Sequence, residues 1–388
     1  MPSEFTVRAL DSTVRIAADA SLTAEQFADV RAQWKDVLVD HDESPDLTIR
    51  IGIGTGTGTE PLDGADSVFH YSFEGLCDRL TTAVTLGGIR NLQGRALMLH
   101  AAAVDAGDGR VVAFVGPSGR GKTTAAQALG REFGYVTDET LAVRLDGTVL
   151  SYRKPLSIGS RPGQKRTVPA SDLGLRPVEH DDLELAAVVL LDRRPDIETP
   201  RIESVPLTEG LPELVSQSSY LGGMTRPLRT LADLVLAAGG IRRVVYSEAE
   251  TLPPLLEELI ATRDVDPPML VDVSSALKKG CGCLGERLAQ QDQDASADLA
   301  PKGSYRREVH RDSLMLDDSL FVLRKSDVMV LEGVGPAVWL GADDSSEEEL
   351  RDAALEQLPE PPEGVDPALV VSAAIKDLLD AGLLVQQA

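Results

Sequence analysis

Basic residues are in short supply in this chain of 388 residues: 38 Lys and Arg stand against 62 Asp and Glu, a formal charge of −24 at pH 7. A field of that sign repels polyanions, so neither nucleic acid nor an anionic membrane is expected as a general partner, although a local basic site is still allowed. Long apolar runs are absent as well, and no stretch approaches the length needed to span a bilayer. Met1-Pro2-Ser3-Glu4-Phe5 lacks the design of a signal peptide. The expectation is a soluble, cytoplasmic protein. Cysteine is scarce, three in all. Cys77 falls within a predicted helix, where a buried thiol is the ordinary outcome. Cys281-Gly282-Cys283 has no second ligand pair to complete a metal site. No metal or redox chemistry is assigned to these thiols. Aromatic residues make up only 4%, yet 43% of the chain is hydrophobic, enough for the cores of two or three domains.

What is present is concentrated in one segment. Arg110-Val111-Val112-Ala113-Phe114-Val115 reads as a strand, Gly116-Pro117-Ser118-Gly119-Arg120-Gly121-Lys122-Thr123-Thr124 carries the spacing G-x-x-x-x-G-K-T, and residues 125–129 favour helix. Strand, glycine loop and helix in that order make a phosphate-binding loop. Glycine lets successive N–H groups converge on phosphate oxygens at a helix N-terminus that already favours negative charge. The motif gives Lys122 to the β- and γ-phosphates and the Thr123 hydroxyl to Mg²⁺, so the chain is expected to bind ATP or GTP with Mg²⁺.

Residues 1–95 read as mixed α/β without catalytic spacing. Phe5-Thr6-Val7-Arg8-Ala9-Leu10 and Leu47-Thr48-Ile49-Arg50-Ile51 alternate like strands, and Thr23 with Gln26 has the spacing of a capping box. Residues 52–58 alternate glycine with isoleucine and threonine but no lysine follows, so a hairpin loop is expected there rather than a second phosphate site. The apolar spacing over 73–92 predicts a helix. After the glycine loop, strands and helices alternate to about residue 270, including a fully buried strand at Leu185-Ala186-Ala187-Val188-Val189-Leu190-Leu191. Such alternation implies a mainly parallel sheet covered by helices. Residues 278–304, poor in apolar anchors, read as a flexible linker. Beyond it the sequence predicts a hairpin (320–323 with 328–331), a short helix from Pro336, a second helix opened by Ser346-Glu347-Glu348-Glu349, and a third opened by Asp366-Pro367. The third carries Leu369, Val370, Ala373, Ala374, Leu378 and Leu379 on one stripe and stops at Gly382.

Two further pieces flank the loop: His100-Ala101-Ala102-Ala103-Val104 upstream and Val136-Thr137-Asp138-Glu139 downstream. Phosphoryl transfer needs anchored phosphates, a metal, and a carboxylate that receives the nucleophile's proton. An acidic pair at the end of a strand beside the loop is where such groups collect in α/β sheets. A solvated turn is the plain reading of Asp138 and Glu139, and a hydrogen-bonded core residue that of His100. Asp192, after the buried run Val188-Val189-Leu190-Leu191, is a rival for the metal-linked acid on pattern alone. Tyr152-Arg153-Lys154-Pro155 with Arg161, Lys165 and Arg166 forms a cationic island; it could clamp transferring phosphate or an acidic acceptor peptide, with Arg153 and Lys154 its leading candidates, the alternative being a solvated loop.

Taken together, H-A-A-A-V, G-P-S-G-R-G-K-T-T and V-T-D-E resemble the core of HPr kinase/phosphorylase and its divergent relatives. The resemblance covers residues 100–260. It implies an α/β P-loop fold and phosphoryl transfer to a hydroxyl. Asp138 is then the general base and His100 an active-site residue, while Glu139 joins Thr123 at the metal. No counterpart of the family's E-[IV]-R-G-x-G-I-I signature follows the acidic pair, so the resemblance does not extend to HPr as substrate or to the reverse phosphorylase activity. Kinases of this divergent type occur among enzymes that modify ribosomally made peptides.

Residues 326–384, with Gly335-Pro336-Ala337-Val338-Trp339 and the ending Ile375-Lys376-Asp377-Leu378-Leu379-Asp380-Ala381-Gly382-Leu383-Leu384, resemble a PqqD-type domain, a small winged three-helix α+β unit. Such domains bind leader peptides as an added strand. The edge would come from 320–331 and the groove wall from 369–379; a structural cap or dimerisation unit is the other reading. The expected organisation is an N-terminal mixed α/β elaboration (1–95), an HPr kinase-like core (96–277), the linker (278–304) and the PqqD-like domain (305–388). The expected function is an ATP- and Mg²⁺-dependent kinase acting on Ser or Thr of a ribosomal precursor peptide. Its alternatives are a nucleotide-switched peptide-binding scaffold and a kinase for a small metabolite. The oligomeric state is open, a homo-oligomer being allowed.

Overall fold

Alternating apolar residues build the first sheet. Phe5, Val7 and Ala9 are buried along β1 (Glu4–Ala9), Val14 and Ile16 along β2 (Ser12–Ala18), and the two close as an antiparallel hairpin. The computed structural model describes residues 4–39, 44–54, 67–159, 166–262, 268–273, 303–357 and 366–387. Thr23 and Gln26 form the expected capping box on α1 (Ala24–Gln33). With β3 (Leu38–Val39), β4 (Leu47–Ile53) and β5 (Ser67–His70) the strand order is β3-β1-β2-β4-β5. β4 and β5 pair in parallel. A parallel pair needs a crossover, so the hairpin expected at 52–58 is not what joins them; residues 55–66 lie outside the described residues. α2 (Phe73–Asn91), predicted over 73–92, buries Leu76, Leu80 and Val84, together with Cys77 as expected.

The main sheet holds β6 (Ala96–Asp105), β7 (Arg110–Val115), β8 (Gly134–Thr137), β9 (Thr140–Arg144), β10 (Val149–Leu150), β13 (Glu184–Arg193), β14 (Arg201–Val205), β15 (Ser218–Ser219) and β16 (Ile241–Tyr246). A side ribbon pairs β11 (Leu156–Ile158) with β12 (Arg166–Val168). α3 (Lys122–Gly130) follows β7, and α4 (Leu207–Ser216), α5 (Pro227–Ala237) and α6 (Leu256–Ala261) come later. The order is β10-β9-β6-β7-β13-β16-β14, with β8 and β15 also on β6. The mainly parallel sheet that alternation implied is confined to its centre: β13 is parallel to β7 and β16, and the flanking pairs are antiparallel. The cause is local. A short turn through Gly107, Asp108 and Gly109, all at positive φ, folds β7 straight back on β6. At the parallel centre, residues 187–191 of β13 are buried, whereas Leu185 and Ala186, expected in the same fully buried run, are half-buried.

By contact, Met1–Met224 with Asp233–Val265 form one unit, and Thr225–Ala232 with Asp266–Ala388 a second. The second contains β17 (Leu270–Asp272), β18 (Tyr305–Arg307), β19 (Asp312–Leu316), β20 (Ser319–Arg324), β21 (Asp327–Leu331), α7 (Gly335–Gly341), β22 (Asp343–Ser345), α8 (Glu347–Gln357), α9 (Pro367–Asp380) and β23 (Leu384–Gln386). Its sheets run β17-β19-β20-β21 and β22-β18-β23. The expected hairpin is β20–β21, and the caps at Ser346 and Asp366 form as expected. Trp339, Leu320, Val322 and Leu350 share one core with Val371, Ile375 and Leu378 of α9. The expected apolar stripe on α9 is therefore displaced: Leu369, Val370 and Ala373 are exposed, and the buried row is i, i+4, i+7 from Val371. β17 pairs with β19, so this unit takes in residues expected with the kinase core. Residues 274–302, which contain nearly all of the expected linker and both Cys281 and Cys283, lie outside the described residues.

Candidate active site

Three strands are in register where the glycine loop begins. Val115, the last residue of β7, pairs with Ala101 of β6 on one side and Leu190 of β13 on the other. The chain then leaves the sheet over 116–121 and becomes α3 at Lys122. Gly119 and Gly121 adopt φ of +82° and +90°, conformations costly for residues with a Cβ. Gly121 is the N-cap of α3 without a side-chain cap, and the first turn carries no acidic residue. Its orphan N–H groups therefore face a site suited to an anion. Gly116 is buried, Pro117, Ser118, Gly119, Arg120 and Thr124 are exposed, and Thr123 is half-buried. The strand–loop–helix is a phosphate-binding loop of a P-loop α/β fold.

Lys122 is buried and folds back along the loop, its Nζ donating to the carbonyls of Gly116 (2.5 Å) and Pro117 (3.1 Å). Burial holds its pKa below the usual lysine value, with Glu139 and Asp138 pulling the other way.

The acidic pair sits one strand away. β6 is long enough to pair with β8 along one half and β9 along the other. Asp138 and Glu139 fall in the break between those partners, after Thr137, which pairs with Ala103, and before Thr140, which pairs with His100. The Ala101 N–H donates to the Glu139 carbonyl at 3.1 Å. Ala101 thus stands between the acids on one side and the root of the phosphate loop on the other.

Asp138 is buried and Glu139 half-buried. Lys154, 2% exposed, reaches both, its Nζ lying 3.3 Å from Asp138 Oδ1 and 3.0 Å from Glu139 Oε2. Burial opposes the charge on Lys154, but the two carboxylates outweigh it and hold its pKa above the ordinary value. The residue expected to clamp phosphate is instead committed to the acidic pair. Tyr135 of β8, fully buried, donates from Oη to the same Asp138 Oδ1 at 3.1 Å. The sequence reading missed Tyr135; its only signal is a tyrosine in a buried strand three residues before the acid. Burial and the adjacent carboxylate push its phenol well up. His100 is half-buried; burial, then the Lys122 charge, lower its pKa, while Glu139 and Asp138 act to raise it. So Lys122, His100, Asp138, Glu139 and Lys154 share one electrostatic environment.

Arg153 turns elsewhere, donating to the Leu175 carbonyl at 3.4 Å. Arg161 and Lys165 lie outside the described residues, and Arg166 is exposed on β12. Asp192 follows Leu190 by two residues on β13 and pairs with Arg194 at 2.7 Å, remaining close in register to the loop root. The oxygen donors present suit Mg²⁺. Among the described residues no cluster of three His, Cys, Asp or Glu could hold a metal alone. Mg²⁺ is held by one or two protein oxygens with nucleotide phosphates, and the Thr123 hydroxyl and Glu139 carboxylate are of that kind.

No protein-family model matches the chain. Over 143 residues it is 29% identical to a cytidylate kinase of Carboxydothermus hydrogenoformans, a match covering 36% of this chain and 61% of that protein's length. Among solved structures it aligns with the Hpr(Ser) kinase/phosphatase from Coxiella burnetii at 15% identity, over 42% of this chain and 93% of that one, with a TM-score of 0.23.

Proposed function

We propose that this chain is an ATP- and Mg²⁺-dependent phosphotransferase that phosphorylates a serine or threonine hydroxyl of a ribosomally made precursor peptide. The observation that supports it is the register at Ala101, which sets the buried Asp138 and half-buried Glu139 carboxylates one strand from an uncapped, glycine-rich helix N-terminus. In this reading the loop N–H groups and Lys122, released from the Gly116 and Pro117 carbonyls, hold the β- and γ-phosphates. Thr123 and Glu139 would hold the metal, which would supply positive charge against the phosphates. Asp138 takes the acceptor's proton as the acceptor oxygen bonds to the γ-phosphorus. The bond from that phosphorus to the bridging oxygen breaks, its electron pair leaving on ADP. His100 borders the site, its neutral form favoured by burial and by Lys122.

The peptide assignment draws on the C-terminal unit. β21 is the last strand of its sheet, with Met329 and Val330 exposed on it. Leu369 (69% exposed) and Val370 lie on α9, whose end is tied to the β20–β21 hairpin by Arg324 donating to the Ala381 carbonyl at 3.1 Å. Among the described residues β21 has a free edge, and its rim with exposed Met329 and Val330 is suited to strand addition by an extended peptide. Holding the peptide on the same chain as the transfer site raises its effective concentration there.

The test is purified protein with ATP, Mg²⁺ and a candidate precursor peptide. The expected result is a mass gain of one phosphate, lost in Asp138→Asn. Nucleotide binding without transfer to any peptide or small hydroxyl compound favours the scaffold reading, and transfer only to the small compound favours a metabolite kinase. Met329→Glu and Leu369→Glu are expected to weaken peptide binding at least about tenfold while leaving the melting temperature unchanged. Unaltered affinity in both variants rules out this face as the peptide site.

A further inference from the structure

One hydrogen-bond donor and one ammonium converge on a single oxygen of the Asp138 carboxylate. Tyr135 Oη approaches Oδ1 at 3.1 Å and Lys154 Nζ approaches the same atom at 3.3 Å. Among the described residues Oδ2 receives no hydrogen bond. Neither donor can face a ligand directly, since Tyr135 is 0% and Lys154 2% exposed. Lys154 also holds Glu139 at 3.0 Å, so the two carboxylates are fixed relative to each other through one ammonium.

We propose that Tyr135 and Lys154 are positioning residues for the proton transfer: they saturate Oδ1 of Asp138 and leave Oδ2 as the atom that takes the acceptor's proton. The proposal rests on the phosphotransferase reading above. The need for such a clamp follows from the side chain itself. Rotation about the last torsion of an aspartate is broad, so the torsion alone does not decide which oxygen faces the acceptor. Transfer requires a lone pair aimed at the hydroxyl within a few tenths of an ångström, and loss of that alignment is costly in rate. A hydrogen bond from β8 and an ion pair from the segment after β10 fix the plane of the carboxylate. The acceptor O–H bond then breaks with its proton going to Oδ2. The electron pair so released forms the bond to the γ-phosphorus, and the pair of the broken phosphorus–oxygen bond leaves on the β-phosphate of ADP. Lys154 loses no proton in this step, and its charge offsets that of the two acids throughout.

The experiment compares the full-length protein with Tyr135→Phe, Lys154→Met and Lys154→Arg. It measures kcat, KM for ATP and for peptide, nucleotide Kd and melting temperature. Tyr135→Phe deletes one hydroxyl and is expected to lower kcat about tenfold, with both KM values and the nucleotide Kd within about twofold of wild type. Lys154→Met is expected to lower kcat about a hundredfold, and Lys154→Arg, which keeps a charged donor, to recover part of it. A merely structural role would instead lower the melting temperature and reduce all parameters with the folded fraction. Wild-type kcat in Tyr135→Phe, or Lys154→Arg no better than Lys154→Met, overturns the clamp while leaving the functional reading in place. If Lys154→Met does not fold, Tyr135→Phe decides alone. Absence of transfer by the wild-type protein to any acceptor overturns the functional reading and the clamp with it.

Discussion

Two glycines of the phosphate loop share a backbone conformation but not an environment, and replacing each by alanine separates two costs. Gly119 (φ +82°) and Gly121 (φ +90°) would both force an L-residue into the left-handed region, at about 1–2 kcal/mol each. A Cβ at Gly119 meets nothing within 4 Å, whereas at Gly121 it would lie 3.1 Å from Tyr246 Oη. That ring is 1% exposed and cannot swing aside. Gly121→Ala should therefore lose a further ~1 kcal/mol through overpacking. At about 2–4 °C per kcal/mol for a unit of this size, Gly119→Ala is expected to melt a few degrees below wild type and Gly121→Ala clearly lower. Tyr246→Phe removes the obstructing oxygen along with its 3.4 Å hydrogen bond to the Arg120 carbonyl. In the Tyr246→Phe background the two alanine variants should converge. Thermal unfolding reads the stabilities, and titration calorimetry with ATP reads the loop, whose N–H convergence both replacements disturb. Equal destabilisation by the two alanines, with no convergence in the double variant, would falsify the account of why the loop needs glycine at 121.

Three other outcomes are expected. Asp138→Asn should reduce phosphoryl transfer by about 10²–10⁴ with ATP affinity retained, while Asp192→Asn, which loses only its pairing with Arg194, should change it little; the reverse pattern would move the metal-linked acid to β13. Burial pushes the Asp312 carboxyl up to about 6, against the Leu228 and Ser313 N–H groups, which favour its charged form, and beside Asp272 and Arg311. A folded pKa above the unfolded value of about 3.9 means that this stabilisation is complete below about pH 4 and lost as pH rises through about 6, roughly 2–3 kcal/mol in all. Urea unfolding from pH 4 to 7 should show the decline in wild type and a flatter profile in Asp312→Asn. Trp339, fully buried against His310 (5.0 Å between ring centroids), should cost about 3–5 kcal/mol on truncation to alanine, seen as a lower urea midpoint.

How much of this was legible in the chain depends on how local the determinant is. The phosphate loop and the caps at Thr23, Ser346 and Asp366 depend on a few consecutive residues, and they form where the sequence places them. The closeness of Asp138 and Glu139 to the loop was foreseeable only because a family pattern links three separate segments; the physical link, Ala101 serving both sides, is a matter of strand register. Lys154 read as a cation free for phosphate because nothing in its neighbourhood announces that the chain turns it inward to the acids. On α9 two apolar rows fit a helical period, and the sequence cannot say which is covered until Trp339 and Leu350 take their places. Strand direction was the weakest inference. Alternating strands and helices suggested parallel pairing, but a four-residue turn between β6 and β7 is enough to reverse it.

The pairing of β17 with β19 bears on where this protein can be cut. A fragment beginning at Tyr305 would strip β19 of its outer neighbour, baring the backbone rim along 314–316 to self-association. It would also remove the Leu228 amide that answers the Asp312 carboxylate at 2.8 Å. Any recombinant version of the tail intended to stay monomeric needs the turn of chain around Leu228 as well as the strip from Met269 onward, two pieces separated along the sequence but joined in one fold.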